Sequence, residues 1–310
     1  MRGERGMLSM LAASTAYRSK KKWLLLGSSG LLGKEIRNLP QLADIDLDVP
    51  SHSTLDISNA EQLIDYLKVE QPHMVINAAA WTDVDGAQAS PDQVFRSNAR
   101  SVEILSNYAL NSGGRLIQVS TASVFSGSAN QFFSTDSRTN PINEYNKSKE
   151  LAERFCLKNV RLGADISILR TYWLYGKFAP NFVDFVATQV LAGKPVTIVE
   201  DQWGQPTSAS DLAETVASVC FSEKNEGILH AINHGVTTRL SLTKAIVQIL
   251  NADETLITPT SASNFGAAAP RPAACSLATS QFSDGSWLRL RDWEDALSVY
   301  LLERYSSGHN

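Results

Sequence analysis

The chain has little cysteine, little histidine and no excess of basic charge. Its three cysteines, Cys156, Cys220 and Cys275, lie far apart without metal-ligand or redox spacing. Reduced thiols fit that pattern better than a disulfide framework. The five histidines are just as scattered, so no metal site is proposed. A formal net charge of −4 gives no electrostatic case for nucleic acid, which calls for a basic patch. No apolar run reaches the roughly 20 residues of a membrane-crossing helix. What is present is 310 residues, 43% hydrophobic and 19% charged. That composition reads as globular, with a large core in one big domain or two smaller ones.

Residues 1–22 stand apart. Arg2, Arg5, Arg18, Lys20, Lys21 and Lys22 face a single acid, Glu4, with Ser and Ala between. Such a composition fits an organelle transit peptide. It equally fits a disordered tail or an upstream start codon, with Met7 and Met10 as other starts. A cytoplasmic protein is expected, with organelle targeting left open by this extension.

The stretch Trp23-Leu24-Leu25-Leu26-Gly27-Ser28-Ser29-Gly30-Leu31-Leu32-Gly33 joins an apolar run of strand length to three glycines spaced three apart. A parallel strand covered on both faces need not alternate. Gly27 allows a sharp turn, Gly30 lets backbone N–H groups approach a pyrophosphate, and Gly33 lets the following helix lie close. The helix N-terminus then favours an anion. A strand-turn-helix without a ligand is the plain alternative.

Beyond it, strands and helices alternate. Leu31–Leu39 reads as a helix ended by Pro40, and residues 45–49 as a short strand carrying Asp46 and Asp48. Asp48 lies 21 positions beyond Gly27, about where an acid meets adenosine ribose hydroxyls, which leans towards NADH. Asp56-Ile57-Ser58 leads into a helix over 59–69. Residues 74–80 (MVINAAA) form a buried strand whose small residues Ala78, Ala79 and Ala80 leave room for a cofactor. Residues 91–112 carry helical periodicity, 115–120 a strand, 165–170 another, 182–191 a helix and 195–199 a strand. A helix over 209–221 is expected behind caps at Ser208 and Ser210, then a strand over 227–233 and a helix over 241–250. Residues 258–286 read as a loop-rich rim and 292–305 as the last helix. Alternation of this kind means an α/β fold with a parallel sheet and right-handed crossovers.

Tyr145 and Lys149 stand four apart, hence on one face of a helix. There Lys149 is expected to favour the phenolate and lower the pKa of Tyr145. The strand over 115–120 runs into Thr121, a hydroxyl at the carboxyl edge where such sheets bind ligands. Thr121 and Tyr145 can converge on one carbonyl oxygen and stabilise the charge that develops as a hydride arrives.

These motifs together resemble the extended short-chain dehydrogenase/reductases, and within them the dTDP-4-dehydrorhamnose reductase group. The resemblance runs from about Trp23 to Trp293. It rests on GSSGLLG, INAAAWTDVDGAQ (76–88), STASVFSG (120–127), PINEYNKSKELAE (141–153), LRTYWLYG (169–176), DQWGQPTSASDLAE (201–214) and RPAACSL (271–277). It implies a Rossmann-type doubly wound parallel sheet, mainly over 23–170, interleaved with a smaller C-terminal substrate-binding region, mainly over 171–310. The implied reaction is hydride transfer from NADH or NADPH to the C4 ketone of a nucleotide-linked 4-keto-6-deoxyhexose. Tyr145 is then the acid, Lys149 its partner and a holder of the nicotinamide ribose, and Thr121 the carbonyl-binding hydroxyl. The cofactor set becomes Gly27, Ser29, Gly30, Leu31, Leu32 and Gly33, with Asp48, Asp56, Ile57, Ala78, Ala79 and Ala80. Thr82, Val84 and Trp173 fall where the family contacts the sugar, and Arg271 where relatives meet the diphosphate. A nucleotide-sugar substrate is the expected partner, with no nucleic acid or membrane, and a homodimer is left open.

One block departs. Members of the group commonly read S-T-D-Y-V-F-D-G where this chain has Ala122-Ser123 after Thr121. The side chain after Thr121 is expected to face the sugar, so either the sugar differs or turnover has been lost. A non-catalytic nucleotide-binding subunit and an epimerase or dehydratase are the competing readings. Retention of Thr121, Tyr145 and Lys149 speaks against the first. Ala122 and Ser123, where a dehydratase places acids, speak against the second.

Overall fold

Every residue of Trp23–Leu26 (β1) is buried, as a strand covered on both faces requires. The computed structural model describes residues 22–305 apart from 224, 283 and 287. The leader expectation on 1–22 therefore falls, but for Lys22, outside the described residues.

Around β1 a six-stranded sheet forms from Leu47–Asp48 (β2), Met74–Asn77 (β3), Arg115–Thr121 (β4), Asp165–Thr171 (β5) and Gly227–His230 (β6). The order is β6-β5-β4-β3-β1-β2, and every pairing is parallel. The chain leaves β1 in one direction for β2 and in the other for β3. That reversal opens a crevice at the carboxyl edge, where doubly wound sheets bind ligands.

Alternation along the strands feeds two cores. Leu25, Ile76, Ile117 and Leu169 face Leu32 and Ile36 of the helix Leu31–Arg37 (α1) and Leu212 and Val216 of the helix Ala209–Phe221. Leu24, Leu26, Val75, Leu116 and Ile166 face the helices Ala60–Glu70 (α2), Ser101–Ser112 (α3) and Glu144–Val160 (α4). Each fully buried leucine contributes about 1.5–3 kcal/mol relative to exposure. The β4–β5 register, Arg115↔Asp165 to Thr121↔Thr171, is pinned at its start by an Arg115–Asp165 ion pair of 2.8 Å. That register sets two threonines side by side at the carboxyl edge.

Two expectations change in detail. The 91–112 helix is broken by a π-helical turn over Arg96–Arg100. The turn directs buried Asn98 to the backbone of Trp81, with Trp81 N donating at 2.7 Å and Asn98 Nδ2 donating to Trp81 O at 3.0 Å. Asn98 Nδ2 also donates to Ser148 Oγ at 3.0 Å, which ties the segment after β3 to α4. The rim over 258–286 is not all loop. Ile257–Thr260 pairs in parallel with Val196–Val199, and Ser276–Leu277 with Phe132–Phe133. A separate apolar cluster joins the helices Phe182–Leu191, Arg239–Ile249 and Trp293–Tyr305. Among the described residues no helix is long and apolar enough to cross a membrane.

Candidate active site

The glycine turn is built by contact. Gly27 has φ +75°, and a Cβ there would lie 2.6 Å from Ala79 N, so only glycine fits between β1 and β3. A Cβ on Gly33 would overlap Gly27 O, so Gly33 lets α1 lie close beneath the turn.

At the crevice lies a cavity of about 590 Å³. Its walls include Gly27, Ser29, Gly30, Leu31 and Leu32, together with Ala78, Ala79 and Ala80. Thr121, Tyr145 and Lys149 line it too, with Thr82 and Trp173. Ile57 reaches it, whereas Gly33, Asp48 and Asp56 do not line it. Asp48 stands beside Leu24 in the sheet, and its carboxylate accepts from Tyr66 Oη at 2.7 Å with Lys22 Nζ at 3.5 Å. It is engaged away from the crevice, so the argument from Asp48 to NADH lapses. Burial raises the pKa of Asp56, but hydrogen bonds from Ser58 outweigh it and hold the carboxyl below its usual value. Asp56 thus shapes the turn into α2.

A second cavity of about 330 Å³ shares Thr82, Thr121, Tyr145, Tyr172 and Trp173 with the first. Val84, Ser123, Asn143, Asn146, Gln202, Arg239, Arg271 and Pro272 complete its walls. The shared residues form the waist between the two chambers, and Thr121 and Tyr145 stand in it.

Helix α4 is capped by Asn143, whose side chain accepts from Asn146 N at 2.8 Å. The cap places Tyr145 in the first turn and Lys149 one turn further on. Lys149 Nζ donates to Val119 O at 2.8 Å. Burial pushes its pKa down to about 8, against the opposing pull of the Glu153 carboxylate one turn on. The spacing argument expected Lys149 to draw the phenol of Tyr145 down. Instead burial pushes Tyr145 up to about 12, and a hydrogen bond with Thr121 offsets only part of this. The physical reason is desolvation of the phenol, while the Lys149 ammonium donates one of its protons to the Val119 carbonyl. A phenol held in its protonated form remains a proton donor at neutral pH.

Beneath the waist lies a polar cluster with no motif of its own. Arg170 and Glu153 are both almost fully buried and pair at 2.7 Å, and Glu153 Oε1 accepts from Ser120 Oγ at 2.6 Å. The Arg170 guanidinium lies 4.8 Å from the ring of Phe125, which stacks on Phe133 at 4.3 Å. Burial pushes His230 down to about 4, so it stays neutral next to Arg170.

Ala122, expected to face the sugar, lines neither cavity. It is fully buried with Val124, Phe125, Phe133, Ile232, Cys275 and Leu277. Ser123 is the residue that lines the second cavity, and its hydroxyl lies 2.9 Å from Thr121 Oγ1 and donates to Asn146 Oδ1 at 2.7 Å. Asn146 Nδ2 and Thr171 Oγ1 are buried without a partner in the protein. These two orphaned groups border the second and first cavities respectively, as sites awaiting polar ligands do.

Trp173 has φ +43°, a strained conformation for an aromatic residue. A Cβ on Gly204 would lie 2.8 Å from the rings of Tyr172 and Trp173, so the glycine of the DQWG block makes room for both. Arg271 is held by Asp85 through paired bonds of 2.5 and 2.8 Å, and Ala269 N donates to the same carboxylate at 2.8 Å. The adjoining Pro270 O accepts from Asn143 Nδ2 at 2.8 Å. Sequence reasoning missed Asn146, Gln202 and Arg239, and met Ser123 only as a departure from the group's pattern. Gln202 and Asn146 lie inside quoted motif blocks, which was a signal, whereas Arg239 carried none.

The family described as RmlD substrate binding domain matches residues 21–306. A dTDP-4-dehydrorhamnose reductase of Streptomyces griseus is 32% identical over 283 residues, 90% of this chain and 92% of its own length. A dTDP-4-keto-6-deoxy-D-glucose reductase of Streptomyces niveus is 27% identical over 277 residues, 89% of this chain and 95% of its own. Among solved structures, dTDP-4-dehydrorhamnose reductase of Bacillus anthracis str. Ames in complex with NADP superposes with a TM-score of 0.83. It is 29% identical, and the match covers 92% of this chain and 99% of that one.

Proposed function

This chain belongs to the RmlD substrate-binding-domain family, and we propose from that premise that it reduces the C4 ketone of a dTDP-linked 4-keto-6-deoxyhexose. It is an NAD(P)H-dependent oxidoreductase. The observation that carries the reading is the waist: Thr121 and Tyr145 line both cavities, so a carbonyl reaching from one chamber meets them beside the other.

The first cavity suits the dinucleotide, with backbone donors at Gly27–Leu32, small alanines along its length and the unpaired Thr171 hydroxyl. A reduced nicotinamide bound there supplies the hydride. Thr121 donates a hydrogen bond to the carbonyl oxygen, and Tyr145 gives that oxygen its phenolic proton as negative charge develops. Lys149, anchored on Val119 O, has two further ammonium protons for a ribose hydroxyl and holds positive charge near the phenol. We read residues 23–170 as mainly the cofactor half and 171–310 as mainly the substrate half. The return of Gly227–His230 to the sheet is consistent with interleaving.

The test is the absorbance of reduced nicotinamide, followed with a panel of dTDP- and UDP-linked 4-keto-6-deoxy sugars. Oxidation with a dTDP sugar is expected. No oxidation with any of them overturns the reading.

A further inference from the structure

Arg239 is a cation without a counter-ion. Its guanidinium lies 3.8 Å from the ring centre of Trp173 and 4.3 Å from that of Phe182. No carboxylate pairs with it among the described residues. Two aromatic faces hold the group in place by cation–π attraction, yet they neutralise none of its charge. Drawing an unpaired charge partly out of water is costly, and a partner of opposite sign relieves that cost.

The surroundings offer none from the protein. The second cavity, which Arg239 lines, has no aspartate or glutamate in its wall. Its other cation, Arg271, already spends two hydrogen bonds on Asp85. Burial pushes the pKa of Arg239 down to about 10, with Arg271 adding repulsion, and the group is still charged at neutral pH. The chamber therefore carries one uncompensated positive charge, next to Thr121 and Tyr145.

We propose that Arg239 is the principal anchor for the diphosphate of the nucleotide-sugar substrate, with Arg271 fixed by Asp85 in a supporting place. The proposal rests on the reductase reading. In a nucleotide-linked 4-keto-6-deoxyhexose the diphosphate is the only charged part, so it is the one group that can answer this cation. The planar guanidinium offers paired N–H donors, which suits phosphate oxygens. Stacking on Trp173 also connects the anchor to the waist, since Trp173 lines both chambers.

The test is calorimetric binding of thymidine 5′-diphosphate to the NADPH-loaded full chain, with NADPH affinity measured separately. Arg239→Met is expected to weaken the diphosphate ten- to a hundredfold while NADPH affinity stays within twofold. Arg239→Lys keeps the charge without the planar fork and is expected to fall between. Undiminished diphosphate binding in Arg239→Met overturns the proposal. So does a parallel loss of NADPH binding, which marks a structural role, and so does an Arg239→Lys as weak as the methionine variant. Uridine and guanosine diphosphates are run beside it. A wild type that binds one of these and not thymidine diphosphate overturns the dTDP reading alone, and the same variants then decide Arg239 with that nucleotide. A wild type that binds no nucleoside diphosphate overturns both.

Discussion

Glu153 stands one helical turn beyond Lys149, and its carboxylate grips Arg170 at 2.7 Å while accepting from Ser120 at 2.6 Å. One buried acid thus ties α4, which carries Tyr145 and Lys149, to β5 and to the residue before Thr121. Tyr145, Lys149 and Thr121 are held in mutual register by this acid.

Glu153→Gln should therefore be costly. It leaves the Arg170 charge buried without a counter-ion, and breaking such a pair on one side costs about 3–5 kcal/mol. Denaturant unfolding is the measurement. A loss below about 1 kcal/mol would show that water or His230 can replace the acid.

The pH dependence follows from Lys149. Its folded-state pKa of about 8 lies below the ordinary 10.5. Below about 8 the lysine is charged in both folded and unfolded chains. Between about 8 and 10.5 the unfolded chain binds more protons, so the Lys149 contribution makes stability rise with pH through that window. Activity moves the other way, because the neutral amine loses its hold near the phenol. Tyr145 at about 12 stays protonated throughout. We expect kcat/KM to fall above about pH 8, and Lys149→Arg to remove that limb at reduced rate. A wild-type profile flat to pH 10 would detach Lys149 from the reaction.

Tyr145→Phe removes the donor and keeps the ring. Hydride transfer is expected to slow by about two to four orders of magnitude, the usual worth of positioned acid catalysis. Cofactor affinity should change little, because Lys149 and the glycine turn remain. Single-turnover kinetics with prebound NADPH check this, and turnover at the wild-type rate would remove Tyr145 from the role.

The legible parts of the site are those whose geometry is local. Gly27 needs its φ of +75° within one turn, and Tyr145 and Lys149 share a helix face by spacing alone. Thr121 follows from a strand end. The remainder depends on segments brought together by the whole fold. Arg239 meets Trp173 across 66 positions of sequence, and Arg271 meets Asp85 across 186. Asp48 was misplaced for a related reason: β2 is two residues long, and tertiary partners on α2 and at Lys22 decide where its carboxylate turns. Local pattern carries no information about such partners.

The Ala122-Ser123 pair can now be tested with its orientation known. Relatives commonly carry Asp-Tyr here, and a sequence argument would restore both in the hope of regaining sugar contacts. Yet Ala122 is fully buried, packed among Val124, Phe125, Phe133, Ile232, Cys275 and Leu277. A carboxyl placed there finds an apolar surround, and burying a polar group without a partner costs roughly 2–7 kcal/mol. Only position 123 opens on the second cavity, and its serine already holds Thr121 and Asn146. A tyrosine at 123 would lose those two bonds and crowd a chamber of about 330 Å³. The double variant Ala122→Asp with Ser123→Tyr is therefore expected to lower the unfolding temperature and to gain no activity. The measurements are thermal unfolding and kcat/KM on the 4-keto-rhamnose precursor. A tenfold gain in kcat/KM would mean that the loop after Thr121 rearranges to present the aspartate, and that the apolar packing of Ala122 does not fix its direction.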